Sequence, residues 1–305
     1  MSNVLITGGA GFIPSSLADF LLNQGYEVTL IDNFATGSSN NLPNHENSRF
    51  YECDVNKNEE ISKIFREESF DYIFHYASLV GVKRTIENPI MVLDDINGLK
   101  NIFKLSVEND IKKIFYSSSS EVYGEPVEIP QVEDTSPLNA RLPYAVVKNI
   151  GECYCRAYKR EFDLDYSIFR FFNTYGQKQS PDFVVSKFIK AALNNNDITI
   201  NGDGSQTRTF CYIDDNLDAT VRAFKENLFS NETINIGNDN EISILNLANL
   251  IKDILGSSSK IVHLPALEEG DMTRRKPDIT KMKKLLNREF TNLNDGIEKI
   301  IPYFN

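Results

Sequence analysis

Short β-branched runs alternate with longer amphipathic ones along the first half of the chain. Residues 4–7, 27–31, 49–53, 72–75 and 113–117 are brief apolar runs rich in Val, Ile, Phe and Tyr, and they read as strands. Residues 15–23, 59–67, 89–108 and 144–162, lying between and after them, have helical length and spacing. Further strands are predicted at 165–170 and 233–236. Strand–helix alternation at this rhythm implies right-handed crossovers and a parallel sheet covered by helices on both faces. Beyond about residue 173 the alternation becomes irregular. Polar connections at 177–182, 194–196 and 202–205 read as loops within one body, without repeats or a low-complexity linker. That later part is expected to form a smaller lobe over the carboxyl ends of the strands, where ligands of such sheets bind.

Composition narrows the function classes. The chain has 305 residues with 32 Lys+Arg against 43 Asp+Glu, a formal charge of −11, and 41% hydrophobic residues. A chain of this length can hold one large α/β domain or two smaller ones. The acidic balance argues against nucleic acid or an anionic membrane as partner, because both need a basic surface. No run approaches the roughly 18 apolar residues of a membrane span. The first seven residues lack the basic flank of a signal peptide. Cys53, Cys153, Cys155 and Cys211 form no CxxC pair and no Cys/His cluster with zinc spacing. They are expected to be reduced thiols in a cytoplasmic protein, mostly as small buried hydrophobes, with no metal site.

The first strand runs into Thr7-Gly8-Gly9-Ala10-Gly11-Phe12-Ile13-Pro14 and then a helix. Gly8 and Gly11 give a tight turn and a bare backbone that a pyrophosphate can approach, with the helix amides beyond them. The second strand ends in Asp32, about twenty residues on, where a carboxylate can accept from ribose hydroxyls and would repel a 2′-phosphate. The combination predicts NAD in preference to NADP. Pro14 stands where a third glycine is usual, and it is compatible with a first helical turn.

Tyr144 and Lys148 are four residues apart and so share one helix face. A phenol with pKa near 10 is a poor base at neutral pH, and a neighbouring ammonium favours the phenolate. Such a pair can remove a proton from a sugar hydroxyl while hydride leaves the same carbon. Phe115-Tyr-Ser-Ser-Ser-Ser-Glu-Val-Tyr-Gly124 ends a buried-looking strand and offers a serine donor with Glu121 beside it.

These segments together resemble the extended short-chain dehydrogenase/reductases, more narrowly their nucleotide-sugar epimerases, dehydratases and decarboxylases. The likeness covers nearly the whole chain. It continues through Phe172-Asn-Thr-Tyr-Gly176, Gly202-Asp-Gly-Ser-Gln-Thr-Arg-Thr-Phe210, Ile236-Gly-Asn238 and Arg274-Arg-Lys-Pro-Asp-Ile279. It implies a Rossmann-type doubly wound α/β fold, with residues 1–172 plus roughly 211–239 binding NAD. Residues 173–210 and 240–305 would form the nucleotide-sugar lobe. By the same resemblance Gly8, Gly11, Phe12, Ile13, Asp32 and Asn33 hold the cofactor, Asp54 and Val55 flank its adenine, and Ala77 and Ser78 line its channel. Ser119 would polarise the sugar C4 hydroxyl, with Tyr144 as base. Lys148 would hold the nicotinamide ribose and tune Tyr144, and Glu121 would assist at C5. Lys83, Arg84, Ser120, Asn173, Arg208 and Arg275 would bind the substrate, the last three at its diphosphate. Guanidinium forks suit that diphosphate better than amines. His75 reads as a hydrogen-bonded structural histidine.

Members of this group begin alike, by oxidising C4 of the sugar to a ketone. The 78–89 segment is most similar to the substrate loops of sugar and uronate 4-epimerases. The C-terminal third is most similar to UDP-glucuronate decarboxylases. Ser120-Glu121 replaces the Asp–Glu pair of dTDP-glucose dehydratases, although GDP-mannose dehydratases have a similar Ser–Glu arrangement. The resemblance therefore implies an NDP-sugar 4-epimerase acting on a UDP-hexose or UDP-uronate first, a decarboxylase or 4,6-dehydratase as alternatives, and a homodimer. A noncatalytic dinucleotide-binding protein is the reading from another class, since fold alone does not fix function.

Overall fold

β1 (Asn3–Thr7) buries four of its five side chains, as a strand covered on both faces must. A computed structural model describes residues 2–266 and 272–304, with nothing said of the side chains of Val82 and Lys83. After β1 come α1 (Phe12–Leu22), β2 (Glu27–Asp32), β3 (Ser48–Glu52), α2 (Asn58–Glu67) and β4 (Tyr72–His75). Then follow α3 (Val82–Glu87), α4 (Pro89–Glu108), β5 (Lys113–Ser119), α5 (Pro143–Phe162) and β6 (Asp165–Phe171). The later part holds β7 (Thr174–Tyr175), α6 (Val184–Leu193), β8 (Ile198–Asn201), β9 (Thr207–Thr209), β10 (Cys211–Tyr212) and α7 (Ile213–Lys225). It continues with β11 (Thr233–Ile236), β12 (Glu241–Ser243), α8 (Ile244–Leu255), β13 (Ile261–Leu264), α9 (Thr280–Leu286) and α10 (Leu293–Ile300).

Seven strands form one sheet in the order β11-β6-β5-β4-β1-β2-β3. The β1–β2, β2–β3, β1–β4 and β4–β5 pairs are parallel. The chain winds outward from β1 through β2 to β3, then returns to the other side of β1 for β4. The fold is thus doubly wound, and its order reverses between β1 and β4, where such sheets bind ligands. On one face Phe74, Phe115 and Phe169 stand on adjacent strands, with ring centroids 4.4 and 6.0 Å apart. Phe224 of α7 packs edge-on against the first two. The opposite face carries Ile73, Ile114, Tyr116 and Ile168 into one core with Ile61 of α2, Leu99, Ile102 and Phe103 of α4, and Cys155 of α5.

The chain divides into two compact units, each made of several segments. Unit 1 comprises Met1–Val122, Ala140–Arg170 and Thr220–Ile234, and unit 2 comprises Tyr123–Asn139, Phe171–Ala219 and Asn235–Asn305. The loop Tyr123–Asn139 belongs to unit 2 because its polar groups bond there. The Gln131 amide donates to the Lys276 carbonyl, the Asp278 amide to the Gln131 carbonyl, and the Asn235 amide to the Glu133 carboxylate. Unit 2 pairs its strands two by two, as β7–β10, β9–β12 and β8–β13, and packs α6 against α8 and α8 against α10.

Two boundaries differ from the sequence reading by more than one residue. α1 begins at Phe12 rather than at residue 15, because the extended Gly11 acts as its N-cap and the missing amide of Pro14 falls where a helix has no partner for it. β5 runs two residues beyond 117, to Ser119, its hydroxyls engaged by side chains of α5. All four cysteines are free, and Cys153 alone among them is exposed. Burial pushes the Cys53 thiol up to about 12, away from reactivity. Among the described residues no helix is long and apolar enough to cross a membrane, and no group of three or more His, Cys, Asp and Glu could hold a metal ion.

Candidate active site

The phosphate loop lies at the reversal point of the sheet. Gly8 has φ of +72°, and a Cβ there would stand 2.9 Å from the backbone of Ala77, at the end of β4. Only glycine allows both the conformation and that approach. Thr7 joins the same two strand ends through its hydroxyl, which accepts from the Tyr76 and Ala77 amides at 3.1 Å and lies 2.8 Å from His75 Nδ1. With both lone pairs used, its proton points at Nδ1, so the imidazole proton sits on Nε2. Burial first, and the Lys148 charge second, hold the His75 pKa down to about 3, and the ring is neutral. The ring is hydrogen-bonded and neutral, as the reading of His75 as a structural histidine expects.

No side chain caps α1. The amides of Phe12 and Ile13, in its first turn, are therefore available to a pyrophosphate. Asp32 is buried, and its carboxylate oxygens accept from the Ala10 amide at 3.0 Å and the Phe34 amide at 2.7 Å. Each oxygen keeps a further acceptor site, enough for two ribose hydroxyls. Asn33 is exposed and caps the Ala35 amide. Asp54 and Val55 follow β3 in a turn fixed by α4. The Gly98 amide donates to Asn56, and Asn101 donates to the Val55 carbonyl. Ser78 donates to Asp95 Oδ2 at 3.0 Å, and the Leu79 amide donates to the same oxygen at 2.9 Å. These residues fit a dinucleotide: an uncapped helix start, a glycine cradle and a carboxylate with free acceptor sites.

The candidate reacting groups stand on β5 and α5. Strand alternation sends Ser117 and Ser119 to one face and Ser118 to the other. Lys148 is buried, and its Nζ donates to the Ser117 carbonyl at 2.7 Å and the Ser117 hydroxyl at 3.2 Å. It also lies 5.7 Å from the Tyr144 ring centroid and 5.4 Å from that of Tyr116. Burial lowers the Lys148 pKa to about 8, with the Asp95 charge acting the other way. One ammonium thus ties the candidate base, Tyr144, to the strand that ends in Ser119. Ser119 Oγ accepts from the Glu121 amide at 3.2 Å, at the start of the 3-10 turn Ser120–Tyr123. Ser120 is buried and Glu121 is half-buried. Arg84, at the other end of unit 1's substrate-loop candidates, donates to the Val80 carbonyl at 2.7 Å. The Lys83 side chain lies outside the described residues.

Unit 2 gathers its own cluster. Asn173 takes φ of +34°, and its amide donates to the Thr209 carbonyl. Arg208, the residue before, is buried and donates to the Thr207 carbonyl. Thr207 forms a parallel bridge with Arg274, which places the buried Arg275 one residue further on, against the Met272 sulfur. Arg274 itself is engaged by Glu241 through two contacts of 2.6 Å, and Lys276 lies 3.5 Å from the same carboxylate. The Arg274 hydrogen bonds chiefly hold the Glu241 carboxyl down to about 2. The structure therefore places Asn173, Arg208 and Arg275 on neighbouring backbone segments and assigns Arg274 to an ion pair. Thr7, Asp95 and Glu152 support the unit 1 site and carry no signal in the sequence, because the bonds that tie each to another element span 16 or more residues.

Comparison with known proteins agrees with this geometry. Residues 4–237 match the NAD dependent epimerase/dehydratase family. A UDP-N-acetyl-alpha-D-glucosaminuronate decarboxylase of Bacillus cytotoxicus is 36% identical over 319 residues, covering 98% of this chain and 97% of the relative. A UDP-glucuronate 4-epimerase of Thermodesulfobacterium geofontis is 32% identical over 316 residues, covering 99% and 96%. Among solved structures, the UDP-glucose 4-epimerase of Thermotoga maritima with UDP-glucose superposes with a TM-score of 0.93 at 32% identity, over 99% of this chain and 98% of that one. With the glycine cradle, Asp32 and the Tyr144–Lys148 pair in place, the chain belongs to the NAD dependent epimerase/dehydratase family.

Proposed function

We propose that the protein is an NAD-dependent UDP-sugar 4-epimerase, acting on a UDP-hexose or UDP-uronate through a 4-keto intermediate. The observation that carries this reading is the buried Lys148, whose ammonium lies over Tyr144 and grips the backbone two residues before Ser119. Ser119 donates to the C4 oxygen and Tyr144 takes its proton, while Lys148 favours the phenolate by its charge. Bound NAD supplies the hydride acceptor and, after the ketone turns its other face, the donor. Asn173, Arg208 and Arg275 hold the two phosphate charges of the substrate. The near full-length likeness to two 4-epimerases supports the branch.

Decarboxylation is the second reading, favoured by Glu121, whose amide is held by Ser119 Oγ, and by the likeness to a decarboxylase. Incubation with UDP-glucose, UDP-glucuronate and GDP-mannose in deuterated water, followed by product NMR, decides between them. Inversion at C4 without deuterium at C5 is the expected result. Loss of carbon dioxide, or a new 6-methyl group, would replace epimerisation by decarboxylation or dehydration. Absence of turnover with every nucleotide-sugar would leave only a dinucleotide-binding role.

A second outcome concerns pH. Because the charged form of Lys148 is the useful one and its pKa is lowered to about 8, turnover should decline as pH rises through about 8. A kcat profile flat to pH 9.5 would remove its charge from the mechanism. The exposed apolar residues Ile90, Met91 and Leu93 on α4 and Phe162 on α5 support a homodimer through these helices. Free cysteines and the lack of a membrane-length helix among the described residues support a cytoplasmic location. Sedimentation and cell fractionation test these two inferences.

A further inference from the structure

Beneath the reacting groups lies an ion pair that the chemistry above does not use. Glu152 is one turn beyond Lys148 on α5, so Tyr144, Lys148, Glu152 and Arg156 follow one another at intervals of four. The Glu152 side chain is fully buried. Its Oε1 accepts from Ser118 Oγ at 2.7 Å and from Arg170 Nε at 2.8 Å. Its Oε2 accepts from a terminal nitrogen of Arg170 at 2.7 Å and one of Arg156 at 3.0 Å. Arg170, on β6, is 1% exposed. Burial alone would raise the Glu152 pKa, but the hydrogen bonds and charge of Arg170 outweigh it and keep the carboxyl ionised.

Stability is a poor reason for such a pair. Desolvating two charges consumes most of their attraction, and well-packed apolar replacements are often neutral or better. What the pair does supply is direction, because a bidentate fork accepts only one orientation of its partner. One carboxylate joins three elements, and two of them carry reacting groups: α5 bears Tyr144 and Lys148, and β5 bears Ser119 next to Ser118. Lys148 holds β5 through Ser117 and Glu152 holds it through Ser118, both reaching from α5. β5 is therefore tied to α5 at two successive residues, directly before its reacting end at Ser119.

We propose that Glu152 is a positioning residue, which through Ser118 and Arg170 fixes the Ser119 hydroxyl against the Tyr144–Lys148 pair. The inference rests on those three residues being the reacting set. Misplacing reacting groups by about 1 Å can cost on the order of 100-fold in rate. Removing Glu152 or Arg170 singly would strand a buried charge and endanger folding, so Ser118→Ala is the informative variant. It deletes one of the four contacts and leaves the ion pair intact. The expected result is a kcat lower by about tenfold, with the substrate KM and NAD affinity within about twofold of wild type, and most of the rate restored by Ser118→Thr, which keeps the hydroxyl. An unchanged kcat accompanied by a lower melting temperature would make the contact merely structural and overturn the proposal. Equal losses in Ser118→Ala and Ser118→Thr would overturn it as well. Tyr144→Phe, measured alongside, separates the two levels. If that variant stays active the reacting set is wrong, whereas an inactive Tyr144→Phe with a fully active Ser118→Ala refutes only the positioning role.

Discussion

Tyr144→Phe should lower the rate of C4 oxidation by about 10²- to 10⁴-fold, the range a positioned general base contributes, while NAD binding and stability stay close to wild type. The substitution is unusually clean here. Tyr144 is half-buried, and the ring that Lys148 overlies at 5.7 Å is kept, so the change removes the hydroxyl and keeps the ring. A phenol titrates near pH 10 in water; it serves as a base near neutrality only with a cation beside it, and Lys148 is that cation. Enzyme loaded with NAD and mixed with substrate should show no rise in absorbance at 340 nm over times that exhaust the wild-type signal. Retention of more than a tenth of the wild-type rate would falsify the assignment.

The second large effect is expected at Gly151, in the middle of α5. On an open helix, Gly→Ala stabilises by about 1 kcal/mol. At this position a Cβ would overlap Cζ and the hydroxyl of Tyr116, a ring 2% exposed and fixed between β5 and the helix. The ring has no room to withdraw, so α5 must move away from the sheet. Overpacking of this kind costs about 1–3 kcal/mol, occasionally more. The same displacement pulls Lys148 from Ser117 and from the Tyr116 face it lies over. Gly151→Ala should therefore unfold at lower denaturant and lose at least tenfold in turnover. A variant more stable than wild type, with normal turnover, would show that helix and ring are not in contact.

The inner strands of the central sheet were legible because each is short, mostly apolar and covered on both faces, so burial overrides any ambiguity of period; the edge strand β3, with no buried residue, was marked by its Phe50-Tyr51 pair. β4 and β11 have the predicted bounds, and α4 runs from Pro89 to Glu108 as its spacing indicates. The paired strands of unit 2 were not legible. β7, β9 and β10 have two or three residues each, and their partners lie more than thirty residues away in sequence. No periodicity fits into two residues. The same limit hid the supporting groups of the site. Thr7, Asp95 and Glu152 reach other elements through hydrogen bonds across 16 to 70 positions, and nothing in the local sequence marks a glutamate that will be buried. Tyr144 and Lys148 could be paired because their spacing is helical; Ser118 and Glu152 could not, because their partnership depends on how helix and strand meet. Arg274 and Arg275 are adjacent and chemically alike, yet Glu241 engages the first and leaves the second among buried groups.

Asp32 carries a consequence for anyone wishing to change which dinucleotide the protein accepts. Replacing an acidic residue at the end of the second strand by a neutral one removes repulsion toward a 2′-phosphate. Here the same carboxylate also receives the amides of Ala10 and Phe34, so it holds the glycine turn to the loop after β2. An apolar substitution would leave both backbone donors, and Asp32→Asn one of them, without their acceptor, at about 1–3 kcal/mol for each buried donor. Phe34 sits at φ of +57°, a conformation that the Asp32 side chain helps to hold. Coenzyme preference and loop architecture are therefore encoded by one side chain. A change of preference calls for redesign of residues 33–38 together with Asp32, not for a point substitution.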